Sequence, residues 1–249
     1  MITQSGKYNI ISKEELASTN EYMSLLLHSK DVDDRSVIVC NKQTSGKGQK
    51  GNSWEAEEGK NLTFSVLYKP FELLAMDQFT ISIIISLGIC DYLKEKAIDN
   101  VKIKWPNDIY VGDNKICGIL IEHEISGEYL NSSICGVGLN INQEVFKSSA
   151  PNPVSLINIT NQKYSLKQEL LKLLDCIEGR YINIADHRDL LWKNYKNCLY
   201  RFNKVYKYKT EDGIIEGKIV GVNKYGQLLL ETIDLKIREY SFKEISFII

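Results

Sequence analysis

The chain has 249 residues, which suits one large domain or a catalytic domain with a small appendage. Its 31 basic and 32 acidic residues nearly cancel, so the composition does not indicate bulk binding to nucleic acid or to an anionic membrane. Six scattered cysteines without a CxxC pair are typical of a reduced cytoplasmic protein and not of a zinc site. The first ten residues lack the apolar run of a signal peptide.

The first forty residues predict a strand, a helix and a second strand. An extended piece reaches about Ile11, and a helix follows Ser18, Thr19 and Asn20. Hydroxyl and amide side chains at that place are typical of a helix N-cap, so capping is the first explanation for Ser18 and Thr19. Residues 37–40 predict a short apolar strand.

A glycine-rich loop, QTSGKGQKGNSW, follows at residues 43–54. It contains three glycines and two lysines, Gly46, Gly48, Gly51, Lys47 and Lys50. Glycines allow successive backbone N–H groups to converge on one anion, and lysines add full positive charges. The loop therefore suits phosphate, although it lacks the spacing of a Walker A loop. A solvated surface loop remains the alternative on these residues alone.

Alternation of apolar residues at 62, 64 and 66 predicts a half-buried strand. Residues 77–96 are apolar nearly all round, which indicates a mostly buried helix. Its most apolar run, residues 81–90, is interrupted by serine and glycine and is too short to span a bilayer.

A strand that begins at Val101 ends at the turn WPND, residues 105–108. Proline favours an extended residue before it, so Asn107 and Asp108 are expected at a strand end, facing a cleft. Lys115 opens the return strand after a hairpin turn; a solvated lysine is the alternative there. Gly136 and Gly138 lie two apart on one face of a later strand, where either a flat ligand or a bulge would explain them.

The last third of the chain predicts two helices and a small barrel. Ser165 with Gln168 is expected to form a capping box, and Asp186 with Asp189 is expected to cap a second helix. The final fifty or so residues predict about five short strands, with a boundary near residues 197–200. The tyrosine-rich residues 195–208 suit either a nucleic-acid platform or a domain interface, and the near-neutral charge favours the interface. The three histidines, His28, His123 and His187, are expected to be structural.

Three motifs in this order resemble those of the biotin protein ligases: residues 43–54, KWPNDIYVGDNKICGILIE at 104–122, and GVGLNIN at 136–142. The resemblance extends from Ser18 through the closing barrel. It implies an α+β fold, with a class II aminoacyl-tRNA synthetase-like mixed sheet and flanking helices in residues 1–198 and an SH3-like β-barrel in residues 199–249. Many bacterial members carry an N-terminal winged-helix repressor domain. Because the first motif begins at Ser18, we expect a short form without a DNA-binding role.

The same resemblance implies a two-step reaction. Biotin and MgATP form biotinyl-5′-AMP, and biotin then passes to a lysine of a biotin carboxyl carrier protein or domain. The implied cofactor is Mg²⁺, held mainly by the phosphates; its protein ligands are left open, with Asp108 a candidate either to help hold the metal or to position the phosphate. The protein is expected to be cytoplasmic, a monomer or weak homodimer, without nucleic-acid or membrane partners.

The resemblance also assigns residues. The implied catalytic residues are Lys115, Lys47 and Asp108. Biotin would contact Ser18, Thr19, Gln43, Lys47, Gly118 and Gly136. ATP would contact Gly46, Gly48, Gln49, Lys50, Gly51, Trp54, Asn107, Lys115 and Asn140, with Gly136 and Gly138 facing the nucleotide. Trp54 is expected to anchor the loop by packing its ring into the core.

Two departures from the family pattern and two alternative functions accompany this assignment. Lys47 stands where arginine is common, so a bidentate fork becomes a point charge, and Gln49 stands where some members have arginine. Lipoate protein ligases and octanoyltransferases share the superfamily core, but WPND and the loop sequence favour biotin. A non-enzymatic binding module would leave the lysine-bearing loop and Lys115 unexplained.

Overall fold

A computed structural model describes residues 2–147, 152–182, 184 and 187–249, without the side chains of residues 2–5 and Lys50. The strands of the larger sheet are β1 Ile2–Ser5, β2 Tyr8–Leu16, β3 Ser36–Gln43, β4 Leu62–Tyr68, β5 Val101–Lys104, β6 Asp108–Val111, β7 Asn114–Ser126 and β8 Tyr129–Leu139. The α-helices are α1 Thr19–His28, α2 Phe79–Glu95, α3 Leu156–Thr160, α4 Leu166–Tyr181 and α5 Arg188–Cys198. The smaller sheet contains β9 Val205–Thr210, β10 Gly213–Val222, β11 Leu228–Thr232, β12 Ile237–Tyr240 and β13 Ile245–Phe247.

The larger sheet is mixed, in the order β1-β2-β3-β4-β8-β7-β6-β5. Only β2 and β3 pair in parallel among the described strands, because α1 crosses over between them. The other neighbours are antiparallel and are joined mostly by tight turns. With helices flanking the sheet and an antiparallel barrel-like sheet after it, the expected α+β architecture is confirmed.

Strand β4 corrects one expectation from the sequence. All seven of its residues are buried, whereas the alternating pattern predicted a half-buried strand. The even-numbered side chains, such as Phe64, pack in the main core with α2 and α4. The odd-numbered ones face α1 and a polar cavity, where Ser65 hydrogen-bonds to Thr19 and Asn20. The polar residues at alternate positions therefore mark a buried polar site and not solvent.

Helix α2 is the buried helix that the sequence predicts. With its preceding 3-10 turn it spans Ala75–Glu95, long and apolar enough by composition to cross a membrane, but 67% of its most apolar window is buried inside the protein. At Gly88 an added Cβ would lie 2.7 Å from the backbone of Ile177, so glycine allows α2 and α4 to approach closely. The six cysteines are free, and Cys40, Cys90, Cys117 and Cys135 are buried.

Helix starts differ in detail from the sequence prediction. Ser165 precedes α4 but its side chain makes no cap hydrogen bond, so the expected capping box does not form there. A capping box does form one helix earlier, between Ser155 and Asn158. Helix α5 begins after His187; Asp186, the other expected cap, lies outside the described residues. Ser18 is the N-cap residue of α1 without a side-chain cap hydrogen bond, which removes capping as the reason for its hydroxyl.

The smaller sheet has the order β12-β11-β10-β9-β13. Its last segment contacts the β5–β6 end of the larger sheet, through Phe242 on Trp105 and Phe247 on Lys104. The Trp105 ring nitrogen donates a hydrogen bond to the Gly226 carbonyl at 2.8 Å. The tyrosine-rich segment lies at this junction, where the Tyr200 ring is 5.4 Å from that of Tyr110 and 6.1 Å from that of Phe247. Tyr200 therefore packs between the two sheets, as the interface interpretation expects of this segment.

Candidate active site

A cavity of about 390 Å³ opens on the α1 side of the larger sheet, between the glycine loop and the smaller sheet. Most residues assigned from the sequence line it: Ser18, Thr19, Gln43, Lys47, Gly48, Gln49, Trp54, Asn107, Asp108, Lys115, Gly118, Gly136 and Gly138. All three sequence motifs thus meet at one place. A cavity of this size suits a small organic ligand.

Strand register explains the shape of the cavity floor. Lys104 pairs with Asp108, Asp108 with Gly118, and Gly118 with Gly138. Directly opposed residues of antiparallel strands point to the same face, so these four lie in one row across β5, β6, β7 and β8. The row has charged side chains at one end and two glycines at the other. It forms a trough with a polar end.

The charged end is organised around an ion pair. Lys115 Nζ lies 2.7 Å from an Asp108 carboxylate oxygen, and both side chains are largely buried. The backbone of Lys115 is held on its outer side, since its N–H donates to the Asn152 carbonyl and its carbonyl accepts from Val154. Asn107 donates its side-chain N–H to the Ile119 carbonyl at 2.6 Å. Asn107 thus fixes the turn that presents Asp108, although it also lines the cavity.

Trp54 lies in the cavity and not in the core, which corrects the anchoring role expected for it. Its ring covers the glycine end of the trough, where an added Cβ at Gly138 would lie 2.2 Å from the ring and one at Gly118 would lie 2.9 Å away. Its indole nitrogen is buried without a hydrogen-bond partner in the described part of the chain. Lys115 Nζ is 5.7 Å from the ring centre. The two glycines are explained by this flat ring.

The opposite end of the cavity is a hydrogen-bond network formed mostly by uncharged side chains. Gln43 accepts a hydrogen bond from the Thr19 backbone N–H at 2.8 Å. The Ser65 hydroxyl lies 2.8 Å from that of Thr19 and 2.6 Å from the Asn20 side-chain oxygen. Asn20 in turn donates to Glu122 and covers Gly136, where an added Cβ would lie 2.3 Å from Asn20 Oδ1. Such fixed donors and acceptors can orient a polar ring.

The glycine loop folds back on itself as a short hairpin. The Gly48 N–H donates to the Asn52 carbonyl at 2.7 Å and the Trp54 N–H to the Gly46 carbonyl at 2.9 Å. Lys47 forms an ion pair with Glu21 at 2.5 Å, which raises the pKa of Lys47. Both side chains are about half exposed, so this pair is readily exchanged for another partner. The expected role of the Lys50 side chain falls outside the described residues.

Three assigned residues are not brought to the cavity. Gly46 and Gly51 belong to the loop but do not line it. Asn140 follows β8, is only 2% exposed, and donates its side-chain N–H to the Val154 carbonyl at 3.0 Å. Asn140 therefore does not face the cavity. Conversely, sequence reasoning missed several residues that do line it: Asn20, Lys104, Phe242, Lys243, Ile245 and Phe247. Little in the sequence indicated the last four, because they lie in and just before β13, far along the chain from the three motifs.

The histidines lie away from the cavity. His123 on β7 hydrogen-bonds to the Ser133 hydroxyl at 2.8 Å, and burial lowers its pKa to about 4. His28 is exposed on α1, and His187 precedes α5. None of them is placed to act on a ligand in the trough.

Comparison with known proteins agrees with this arrangement. The family model described as the biotin/lipoate A/B protein ligase family matches residues 13–140, about half of the chain. A protein named bifunctional ligase/repressor BirA, from Bacillus subtilis, is 28% identical over 234 residues, 90% of this chain and 70% of its own length. The protein of the same name from Salmonella typhimurium is 29% identical over 239 residues, covering 92% of this chain and 71% of its own.

A solved structure is similar over nearly the whole chain. The Aquifex aeolicus biotin protein ligase in complex with biotin and ATP is 28% identical, with a TM-score of 0.77 over 97% of this chain and 98% of its own. Its match includes both sheets, since so little of either chain is left uncovered. The chain belongs to the biotin/lipoate A/B protein ligase family.

Proposed function

We propose that this protein is an ATP-dependent biotin protein ligase, which converts biotin and MgATP to biotinyl-5′-AMP and transfers biotin to a lysine of a carrier protein. The observation that carries the proposal is the trough. It has a hydrogen-bonding end at Thr19 and Gln43, a flat floor of glycines, and a cationic end at Lys115. These three parts match the polar ring of biotin, the extended middle of the bound substrates and a phosphate of ATP.

The first step requires a carboxylate to attack the α-phosphorus of ATP, which is surrounded by negative charge. Coulomb repulsion opposes that approach unless cations fixed in the site offset it. Asp108 holds the Lys115 ammonium group in place, and neighbouring chain segments hold its backbone. Little reorganisation of the site is therefore needed for this charge to act on the phosphate. We assign Lys115 to the α-phosphate and the biotin carboxylate. Asp108 positions Lys115 and compensates its charge before ligand binds.

Lys47 supplies a second, more mobile charge. Its ammonium group pairs with Glu21 at the rim and lies on the loop that covers the trough. A triphosphate offers denser charge than one exposed carboxylate, so Lys47 is expected to exchange Glu21 for the ligand. Backbone N–H groups of the loop, beside Gly48 and Gln49, would add donors. We also propose that the Lys50 side chain contacts phosphate.

Biotin binding follows from the uncharged end. Ser18 and Thr19 line the cavity with hydroxyl groups, and Gln43 keeps its side-chain N–H₂ available while its oxygen accepts from the Thr19 backbone N–H. A ureido ring needs both a donor and an acceptor, and these groups supply both. The apolar part of biotin would lie along the glycine floor, so the Trp54 ring moves or stacks on the ligand.

Magnesium enters this scheme with the nucleotide. Among the described residues no group of three or more His, Cys, Asp or Glu side chains is placed to hold a metal ion. Asp108, a carboxylate at the phosphate end, is paired with Lys115. Mg²⁺ is therefore expected as MgATP, with the phosphates as its main ligands. Six free thiols suit a reducing compartment, so we propose a cytoplasmic location.

A labelling assay tests the function. The protein is incubated with MgATP, a biotin carboxyl carrier domain, and either labelled biotin or labelled lipoate. We expect label from biotin only, on the acceptor lysine, and none when ATP is omitted or that lysine is replaced by arginine. Equal or preferred labelling from lipoate would assign the chain to the other branch of its family. No label from either acid, with a folded protein, would contradict the proposal.

A further inference from the structure

Lys104 is a cation at the cavity for which the mechanism above has no role. It ends β5, and its side chain lines the trough beyond Asp108. Its Nζ lies 5.3 Å from the centre of the Tyr110 ring and 4.9 Å from that of Phe247. The described part of the chain gives this ammonium group neither a hydrogen bond nor an ion pair. A partly buried, unpaired lysine in a cavity wall is costly unless something else pairs with it.

The surroundings of Lys104 have a surplus of positive charge. The nearby carboxylate, Asp108, is already paired with Lys115. Arg201 also acts on this region, and its Nε and Nη1 atoms are buried without hydrogen-bond partners in the described part of the chain. Burial lowers the pKa of Lys104; Asp108 opposes that shift, while Lys115 and Arg201 add to it. Lys115 and Arg201 thus add positive charge around Lys104 while Asp108 is already paired, which favours an anionic ligand.

Strand register indicates which part of the substrate that anion is. Lys104 stands at the end of the row, three strands from Gly138, or roughly 14 Å at the usual strand spacing. The hydrogen-bonding end lies on the far side of Lys115, at Thr19 and Gln43. A carboxylate that attacks phosphorus from that end expels its leaving group in the opposite direction, because the two oxygens are in line. Lys104 lies on the side of the α-phosphorus from which the leaving group departs.

We propose that Lys104 binds the pyrophosphate portion of ATP and stabilises the charge that develops there during adenylate formation. The inference rests on the proposed function. The biotin carboxylate oxygen forms the new bond to the α-phosphorus, and the bond from that phosphorus to the bridging oxygen breaks. Its electron pair stays with the magnesium-bound pyrophosphate, so Lys104 neutralises that charge without giving up a proton. The Phe247 and Tyr110 rings contact the ammonium group and help to position it.

Separate assays of the two steps test the role. The Lys104→Met variant keeps the length and apolar body of the side chain and removes only its charge. We expect biotin-dependent exchange of pyrophosphate into ATP to fall on the order of 10²-fold, with a raised KM for ATP. Transfer of biotin from supplied biotinyl-5′-AMP to the carrier domain should be unchanged, because that intermediate has no pyrophosphate. Lys104→Arg should recover part of the exchange rate.

Lys102→Met is the matched control. Lys102 lies on the same face of the same strand but contacts the Asn197 carbonyl at the sheet edge and does not line the cavity. Its variant should exchange pyrophosphate at the wild-type rate. An unchanged exchange rate in Lys104→Met would overturn the inference. So would equal losses in exchange and in transfer, since those indicate a general structural effect.

A binding measurement keeps the inference testable if the ligase assays fail. Calorimetric titration of the wild-type protein with magnesium pyrophosphate should show binding that weakens at least tenfold in Lys104→Met and in Lys104→Gln. Wild-type protein that binds pyrophosphate in this way but forms no biotinyl adenylate would contradict the proposed function alone. Equal pyrophosphate affinity in wild type and both variants would contradict the role of Lys104 alone.

Discussion

Among single residues, Lys115 carries the largest share of the proposed chemistry. Its alternatives in the sequence were a catalytic lysine and a solvated hairpin residue, and the structure places it at the cavity floor, 2.7 Å from Asp108. The sequence motif alone could suggest that Lys115 lies at the cavity, because the WPND turn and the hairpin turn fix where β6 and β7 begin. The partners of Thr19 could not be predicted, because Ser65 lies on a distant strand and its burial depends on sheet order.

Replacing Lys115 by alanine should lower the rate of biotin-dependent pyrophosphate exchange on the order of 10²-fold, because a fixed charge is lost from the transition state. The fold should be retained, as judged by circular dichroism. The exposed lysine on α2, Lys94, provides a control whose alanine variant keeps full activity. A Lys115→Ala protein that exchanges pyrophosphate at the wild-type rate would remove this residue from the mechanism.

Gly138 tests the position of Trp54. Alanine at Gly138 would place a methyl group 2.2 Å from the indole ring, so the ring must move. We expect altered tryptophan emission and slower adenylate formation, with the emission change absent in a Trp54→Phe background. The control is Gly179→Ala on α4, where no heavy atom lies within 4 Å of the added Cβ. Unchanged emission in Gly138→Ala would show that the ring does not lie on this glycine.

His123 gives a prediction about stability and pH. Burial lowers its pKa from 6.5 to about 4, so the folded protein holds it neutral while the unfolded chain takes up a proton below pH 6.5. Its contribution is present above pH 6.5 and is lost as the pH falls towards 4, by about 2 kcal/mol after allowance for partial exposure. Denaturant unfolding of the wild-type protein and of His123→Asn, at pH 6.5 and at pH 4, measures this contribution.

The expected difference has a definite sign. Relative to His123→Asn, the wild-type protein should lose free energy of unfolding as the pH falls from 6.5 to 4. His28→Asn, with a side chain 71% exposed, should behave like wild type. Parallel curves for wild type and His123→Asn would contradict the buried neutral state.

At the scale of elements, strand patterns were predicted more reliably than their surroundings. Strand β4 was identified from its alternating residues, but its burial on both faces depends on α1 covering the second face, which no local pattern reveals. The start of α4 was right although its capping box does not form, since the apolar face of that helix is sufficient to place it. The hairpin form of the glycine loop was not predicted.

The glycine loop, residues 45–53, is expected to act as a lid. Its hairpin is closed by two short-range backbone hydrogen bonds, and ordering its glycines is costly in entropy. Contacts to ligand would offset that cost and exclude water from the reactive mixed anhydride. Backbone hydrogen exchange of these residues should therefore slow markedly when biotin and MgATP are added. The amides of β4 should be equally protected in both states.

Escape of biotinyl-5′-AMP from the site is a second measurement that tests whether the loop acts as a lid. In Gly48→Val the new side chain would crowd Asn52, whose atoms lie 3.2–3.4 Å from an added Cβ. The variant should release biotinyl-5′-AMP and label lysines of an added inert protein more than wild type does. If loop exchange is the same with and without ligand, the loop is a static phosphate cradle and not a lid.

In the whole molecule, the segment that contains the smaller sheet completes the wall of the candidate active-site cavity. Phe242 and Phe247 line it, and Trp105 joins the two sheets through Gly226. The sequence predicted a barrel and a boundary, but a contribution to the site depends on docking geometry that composition does not encode. We propose the domain boundary at residues 198–199, where α5 ends at Cys198.

Gly226 tests this docking. It has φ of +83°, and an added Cβ would lie 2.5 Å from the Phe79 ring, so Gly226→Val should cost about 3 kcal/mol and loosen the contact between sheets. The KM for ATP should rise. Gly213→Val, with φ of +117° and open space around it, carries similar backbone strain without touching the larger sheet. If both variants keep the wild-type KM, the smaller sheet does not contribute to nucleotide binding.

The most direct test of the proposed function is biotin-dependent exchange of labelled pyrophosphate into ATP by the wild-type protein. It depends only on the trough, which we propose holds a carboxylic acid and ATP side by side, and it requires no carrier protein. We predict exchange with biotin and MgATP, and none with lipoate or octanoate or without an added acid. Exchange supported by lipoate or octanoate in place of biotin, or a folded protein that supports none, would contradict the account.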